Sequence, residues 1–233
     1  MTSNLDLLRQ FARENSQDAF AEIVRRHLDL VYSAARRQVR SPELAEDIAQ
    51  SVFADLARTA GRLKDDTLLT GWLYAVTRRT AIDAVRKESR RQLREQVAVE
   101  MNTMNATPDD WAQIAPLLDD AMATLDETDR AAVLLRYFEN KSLREVGHSL
   151  NISDDAAQKR VSRAVERLRE FFTKQRLTIG TAGLVALISS NAVQSAPVGL
   201  AATTCATALL GGTAIQTSTL MTSTKTIAMT SIQ

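Results

Sequence analysis

The stretch that decides the fold is residues 41–91, SPELAEDIAQSVFADLARTAGRLKDDTLLTGWLYAVTRRTAIDAVRKESRR. Ser41 followed by Pro42 is typical of a helix start, because serine caps the first turn and proline suits its first position. A second helix, which Thr70 can cap, has an aromatic head and ends in a basic run. We predict that the first helix binds a protein partner and the second binds DNA.

The first helix presents three side chains away from its apolar stripe. Helical geometry places Asp47 and Phe53 about 120° from the stripe and Gln50 roughly opposite it. Phe53 is a large apolar residue on the side expected to face water, and two interpretations stay open. One is a core face widened by a second packing partner, and the other is a docking surface for another protein. The stripe itself consists of Leu44, Ile48, Val52 and Leu56.

The second helix combines aromatic and basic residues. Trp72 and Tyr74 at its head suit unpaired bases, which stack on aromatic faces. Its tail has more positive charge than a helix C-terminus needs, and a phosphate backbone would use that charge. Solvated side chains, some paired locally with Asp83, are the alternative explanation. The basic residues are Arg78, Arg79, Arg86, Lys87, Arg90 and Arg91.

The second half of the chain has the pattern of a helix-turn-helix. Ser142 and Glu145 form a capping box that opens a short helix, and Asn151 suits the left-handed position that ends it. Ser153 caps a longer helix, which such a motif places in a major groove. A solvated helix of a small bundle is the alternative. The side chains offered to the groove are Gln158, Lys159, Arg160, Ser162, Arg163 and Arg167. Further helix starts are predicted at Ser16 or Asp18 and at Asp126.

Charge divides the chain into two parts. Residues 1–176 carry all 28 acidic residues and 28 of the 29 basic ones, whereas Lys225 is the only charged residue after them. The helical pattern lapses between the two halves, where two prolines occur. We therefore predict an all-α fold of two small helical domains joined by a flexible linker. The boundaries are 1–96 and 117–176 for the domains, 97–116 for the linker and 177–233 for an uncharged apolar tail.

Together the two halves resemble a bacterial RNA polymerase sigma factor of the sigma-70 superfamily, of the extracytoplasmic-function type. The resemblance covers about residues 18–172. It rests on the order and spacing of three segments on either side of one linker. They are AEDIAQSVFADL, GWLYAVTRRTAIDAVRKESRR and LDETDRAAVLLRYFENKSLREVGHSLNISDDAAQKRVSRAVERLRE.

The resemblance implies partners and roles for these residues. Asp47, Gln50 and Phe53 match the motif that docks on core RNA polymerase. Residues 72–91 match the helix that melts and reads the −10 promoter element, and residues 153–169 match the helix that reads the −35 element. Promoter DNA, core polymerase and an anti-sigma factor are the expected partners.

Two features depart from the family pattern. Asp154 and Asp155 begin the groove-reading helix, where acidic groups repel phosphate unless one accepts a hydrogen bond from a cytosine amino group. Gly147 stands inside the preceding helix, where alanine is usual, and costs about 1 kcal/mol of helix propensity. We expect it to allow close packing onto the second helix.

The tail allows three interpretations. Its apolar stretches are long enough to cross a bilayer, but Ser, Thr, Gly and Asn dilute them. Residues 177–215 would then associate with a membrane, or the tail is disordered, or it folds against the sigma domains. We predict a regulatory role, in which the tail sequesters the factor or covers its own docking face.

Other functional classes have less support in the sequence. The single cysteine and the lack of a secretory signal predict a cytoplasmic protein. His27 and His148 lie far apart, and we expect no enzyme, no metal and no cofactor. One alternative is a helix-turn-helix regulator that binds duplex DNA without polymerase. Another is a membrane-tethered interaction protein, motivated by the acidic start of the recognition helix and by the tail.

Overall fold

The computed structural model describes residues 3–39, 41–64, 66–95 and 110–217. All regular structure in these residues is helical, so the all-α prediction is confirmed. The helices in chain order are α1 (Asn4–Glu14), α2 (Gln17–Gln38), α3 (Pro42–Thr59), α4 (Leu69–Glu95), α5 (Asp110–Ala123), α6 (Glu127–Val133), α7 (Leu143–Leu150), α8 (Asp154–Lys174), α9 (Thr181–Asn191) and α10 (Leu200–Thr217). A 3₁₀ turn (Ala60–Arg62) follows α3, and a π-helical turn (Leu134–Phe138) extends α6.

Most of the predicted helix starts are confirmed as caps. In each case a side-chain oxygen accepts a hydrogen bond from a backbone N–H that lacks a partner within its helix. The capping residues are Ser16, Ser41, Asp126, Ser142 and Ser153. Thr70 differs from its prediction, because it lies inside α4 and its hydroxyl donates to Glu139 of the second half.

The first half is built around α2. Helices α1, α3 and α4 all pack against it, and α3 also packs against α4. Phe20, Ile23 and Val31 of α2 are fully buried, and their helical spacing places them on one face. The long helix α2 therefore positions both α3 and α4, which carry the candidate partner and DNA residues.

The end of the segment predicted as a linker is helical. α5 starts at Asp110, inside the predicted linker, and Pro116 lies within it. Proline is disfavoured in a helix interior, so packing must supply the stability of this helix. Ile114 and Leu118 are fully buried, and α5 packs against both α2 and α8. The loss of an amphipathic helical pattern predicted a linker here. From Asp110 onward the chain instead forms a helix that is buried on several sides.

The helix-turn-helix consists of α7 and α8. Ser142 and Glu145 form the predicted capping box, and Asn151 takes the left-handed conformation at φ 55°. Glycine is required at position 147 because a Cβ there would lie 2.8 Å from the carbonyl oxygen of Ile152. The turn therefore closes over a position that has no space for a side chain.

The apolar tail is folded against the rest of the chain over residues 177–217. α9 packs on α5, α8 and the π-helical turn, and α10 packs on α2 and α3. Of the three interpretations, folding against the rest of the chain is the one that residues 177–217 adopt. Within the described part of the chain, no helix is both long enough and apolar enough to cross a membrane.

Replacing Gly147 should destabilise the protein. We expect Gly147→Ala to lower the free energy of unfolding by about 1–3 kcal/mol, because the new methyl group forces the α7–α8 turn apart. Chemical denaturation measures the change. Gly61→Ala is the matched control, since a Cβ there has no atom within 4 Å. A Gly147→Ala protein as stable as Gly61→Ala would contradict the close approach.

Candidate partner and nucleic-acid interfaces

The candidate partner surface on α3 is only partly exposed. Asp47 is exposed and Gln50 is half-buried, but Phe53 has no exposed surface. The prediction that Phe53 faces solvent is therefore wrong for this structure. The physical reason is that three helices, α2, α4 and α10, pack on α3, which widens its buried face beyond the predicted stripe.

The aromatic head of α4 faces the protein interior. Trp72 is half-buried and packs against the core, and Tyr74 is buried with its hydroxyl donating to Asp119 of α5. Burial raises the pKa of Tyr74 well above its ordinary value, and the neighbouring carboxylate adds to that effect. In this arrangement Tyr74 is not available to stack on a base, contrary to the sequence prediction.

Asp119 collects hydrogen bonds from both halves of the chain. It is only 1% exposed, and it accepts from Arg37 Nε at 3.1 Å and from Gln38 Nε2 at 2.9 Å. Together with Tyr74, these donors join α2 and α4 to α5. We did not anticipate this group from the sequence. The available signal was an acidic residue between Leu118 and Met122, which belong to an apolar helix face.

The basic tail of α4 remains accessible. Arg79, Arg86 and Lys87 are exposed, whereas Arg78 is half-buried and donates to Asp120 Oδ1 at 2.7 Å. A groove between α4 and α6 is lined by residues that include Arg78, Arg79, Arg86 and Arg130. The side chains of Arg90 and Arg91 lie outside the described residues.

The recognition helix α8 divides its polar residues between two tasks. Gln158, Lys159 and Ser162 are exposed and line one open surface with Asp155. The three arginines instead turn toward the buried Asp129 of α6. Its carboxylate lies 3.0 Å from Arg160 Nη1, 2.8 Å from Arg163 Nη2 and 3.0 Å from Arg167 Nη1.

This cluster gives Arg160, Arg163 and Arg167 a structural contact that the sequence did not predict. The side chains of Arg163 and Arg167 remain 53% and 46% exposed, so their assignment to the groove-facing surface stays a prediction. Asp129 is fully buried, and a buried carboxylate is strongly unfavourable unless cations and hydrogen bonds compensate it. The arginines supply that compensation, since they repeat at a helical spacing along the flank of α8. Their first task in this structure is to hold α6 against α8.

A second buried group links the two halves. His27 of α2 is 2% exposed, and its Nδ1 lies 3.4 Å from Glu139 Oε1. Neither ring nitrogen has a hydrogen-bond partner, and burial lowers the pKa of His27 despite the attraction of Glu139. Lys141 pairs with Glu139 at 2.7 Å. No group of three potential metal ligands occurs among the described residues.

Comparison with known proteins places these surfaces in a family. The Sigma-70 region 2 model matches residues 23–91, and the Sigma-70 region 4 model matches residues 121–170. The RNA polymerase sigma factor CarQ of Myxococcus xanthus is 32% identical over 168 residues, which are 72% of this chain and 97% of CarQ. The ECF RNA polymerase sigma factor SigW of Bacillus subtilis is 27% identical over 170 residues, 68% of this chain and 91% of SigW. The solved structure of CnrH in complex with the cytosolic domain of CnrY is 20% identical, with a TM-score of 0.38 over 73% of this chain and 97% of that one.

A chain that carries both regions in this order is a sigma-70 family protein. This chain belongs to the extracytoplasmic-function sigma factors of that family, and it directs RNA polymerase to promoters. The resemblance predicted from the sequence is thereby confirmed.

The buried His27 predicts a pH-dependent stability. Its folded pKa lies below its unfolded value of about 6.5, so its contribution is present above that pH and declines as the unfolded chain takes up the proton. We expect the midpoint of denaturation to fall between pH 7 and pH 5. In His27→Gln this fall should be smaller.

His148 provides the matched control, because it is the only other histidine and it is exposed. His148→Gln should retain the full pH dependence. If His27→Gln and the unmodified chain lose the same stability between pH 7 and pH 5, His27 is not the group responsible.

Proposed function

We propose that the two family regions of this chain act through a small set of exposed or half-buried residues. Asp47 and Gln50 of α3 dock on core RNA polymerase. Arg79, Arg86 and Lys87 of α4 hold the strands at the −10 element. The open surface of α8 reads the −35 element with Gln158, Lys159 and Ser162. The units involved are residues 1–96 and a second unit that we extend back to Asp110.

The observation that carries the proposal is the coincidence of motif and exposure. Each family region supplies a helix with accessible polar residues at the matching positions. Other motif residues are either buried, as Phe53 and Tyr74 are, or paired with the buried Asp129, as Arg163 is. Asp47 is exposed on the same helix that buries Phe53. Lys159 is exposed on the same helix that commits three arginines to Asp129. The residues assigned to binding are therefore those that are at least partly exposed and are not paired with Asp129.

The charges at the start of α8 disfavour extensive contact between this helix and the phosphates of the −35 element. Asp154 and Asp155 at its N-terminus are exposed, as is Lys159 one turn later. Acidic side chains stabilise the start of a helix but repel phosphate. A carboxylate in this position accepts a hydrogen bond from the amino group of cytosine, and Gln158 is suited to adenine. We infer that base contacts contribute more than backbone contacts at this element.

Polymerase docking is tested by run-off transcription with core polymerase and a promoter that the factor recognises. We expect the double variant Asp47→Ala, Gln50→Ala to lose at least tenfold in transcript and in affinity for core polymerase, because it removes the accessible polar contacts of α3. Phe53→Ala is unsuitable here, since truncating a fully buried phenylalanine costs about 3–5 kcal/mol of stability.

Glu170→Ala serves as the control, because it removes an exposed carboxylate from α8. Its transcript level should match that of the unmodified chain. Duplex binding without any initiation would identify a regulator that acts without polymerase. Full activity of the double variant would show that α3 does not dock through these side chains.

The DNA surface of α8 is tested by the salt dependence of promoter binding by the holoenzyme. We expect Lys159→Ala to weaken binding and to reduce the slope of log K against log salt by about 1, as the loss of one phosphate contact does. Lys174→Ala is the matched control at the end of the same helix. Equal slopes for the two variants would remove Lys159 from the interface.

A further inference from the structure

The uncharged tail contacts both functional units at once. α9 packs on α5, α8 and the π-helical turn of the second unit, whereas α10 packs on α2 and α3 of the first. Leu184 and Ile188 of α9 are fully buried in this contact. A segment that bridges two units in this way restricts their separation.

The segment that connects α9 to α10 is held against one face of α2 by hydrogen bonds. Arg37 Nη1 donates to the carbonyl of Ala192 at 2.6 Å. Ser33 Oγ accepts from the N–H of Gln194 at 2.7 Å and donates to the carbonyl of the same residue at 3.1 Å. One turn further back, Asp29 accepts from the N–H of Ala196 at 2.8 Å. Asp29, Ser33 and Arg37 repeat every four residues and so share one face of α2.

α10 lies on the helix that we assign to polymerase docking. Its buried residues, Leu200, Thr204 and Ala208, also repeat every four residues and form a narrow face against the protein. α10 is one of three helices that pack on α3, in which Phe53 is fully buried and Gln50 is half-buried. Two of the three motif residues of α3 are therefore covered, wholly or in part, in the packed state.

The closed arrangement is also incompatible with the span of a promoter. Elements centred near −10 and −35 are about 25 base pairs apart, which is roughly 85 Å along B-form DNA. Here the two units touch directly through Asp119, Tyr74 and the tail. The units must separate before both DNA surfaces engage one promoter.

We propose that residues 177–217 form a built-in inhibitory clamp. In the closed state α10 covers the docking face of α3, and α9 with the segment hydrogen-bonded to α2 holds the two units together. Core polymerase competes with α10 for α3, and its binding releases the tail. This inference rests on the proposed docking role of α3.

The packing of α10 is suited to release. Two of the three residues on its buried face, Thr204 and Ala208, have small side chains, and the hydroxyl of Thr204 is buried without a hydrogen-bond partner. An unpaired buried hydroxyl opposes the state that buries it. Water would satisfy this group once the helix leaves α3, so the closed state carries a penalty that the open state lacks.

Substitutions on α10 shift this balance in both directions. Thr204→Val removes the unpaired hydroxyl, so it should tighten the clamp and weaken binding of the full chain to core polymerase by about tenfold. Ala208→Arg puts a charge at a site that is 1% exposed, so it should open the clamp and strengthen that binding by at least the same factor. Thr207→Val and Ala206→Arg are the matched controls, because both residues are exposed on α10.

The native thiol reports the position of the tail directly. Cys205 is the only cysteine of the chain and is half-buried on α10, and burial raises the pKa of its thiol. We expect a thiol reagent to modify it at least tenfold faster in Ala208→Arg, and faster in the unmodified chain when core polymerase is bound.

Two results would overturn the clamp while leaving polymerase docking intact. One is polymerase affinity that is the same in Thr204→Val, Ala208→Arg and their controls. The other is Cys205 modification that stays slow in the polymerase complex. If no version of the chain binds core polymerase, the docking role of α3 fails and the clamp fails with it. Opposite changes in affinity for the two buried-site variants, with silent controls, would support the clamp.

Discussion

Asp119 is the side chain on which the placement of the two units depends. A carboxylate that is 1% exposed must be met by donors, and here they come from α2 and α4 of the first unit. Arg37 serves twice, because it also donates to the backbone at Ala192, where the tail begins its course along α2. One cluster therefore couples the domain contact to the position of the tail.

The second unit also contains a buried carboxylate that is stabilised by basic side chains from another helix. Asp129 is fully buried and is met by arginines from α8, which fixes α6 against the recognition helix. The basic residues of this protein thus have two roles, which cannot be told apart from the amino-acid composition. Some of it neutralises buried carboxylates, and the rest remains on surfaces that nucleic acid can reach, such as those of Arg79 and Lys159.

The particular residues show where pattern reasoning succeeds and where it stops. Caps at Ser41, Ser142 and Ser153 were predictable because they depend on neighbours within one turn. The exposure of Phe53 was predicted wrongly because it depends on the packing of α2, α4 and α10 on α3, and α10 is more than a hundred residues away in the chain. Tyr74 was predicted wrongly for a related reason: it is buried and donates to a carboxylate of a distant helix.

The sequence by itself determined the helical class, the two family regions and the turn chemistry of the helix-turn-helix, because these follow from local periodicity, capping and the resemblance of motifs. Only the tertiary structure decided which motif residues are accessible. Burial is a property of packing between distant helices, and compensation of a buried charge requires partners that the linear pattern does not identify. For that reason the sequence left three interpretations of the tail open, and only the fold showed its packing on α2, α3, α5 and α8.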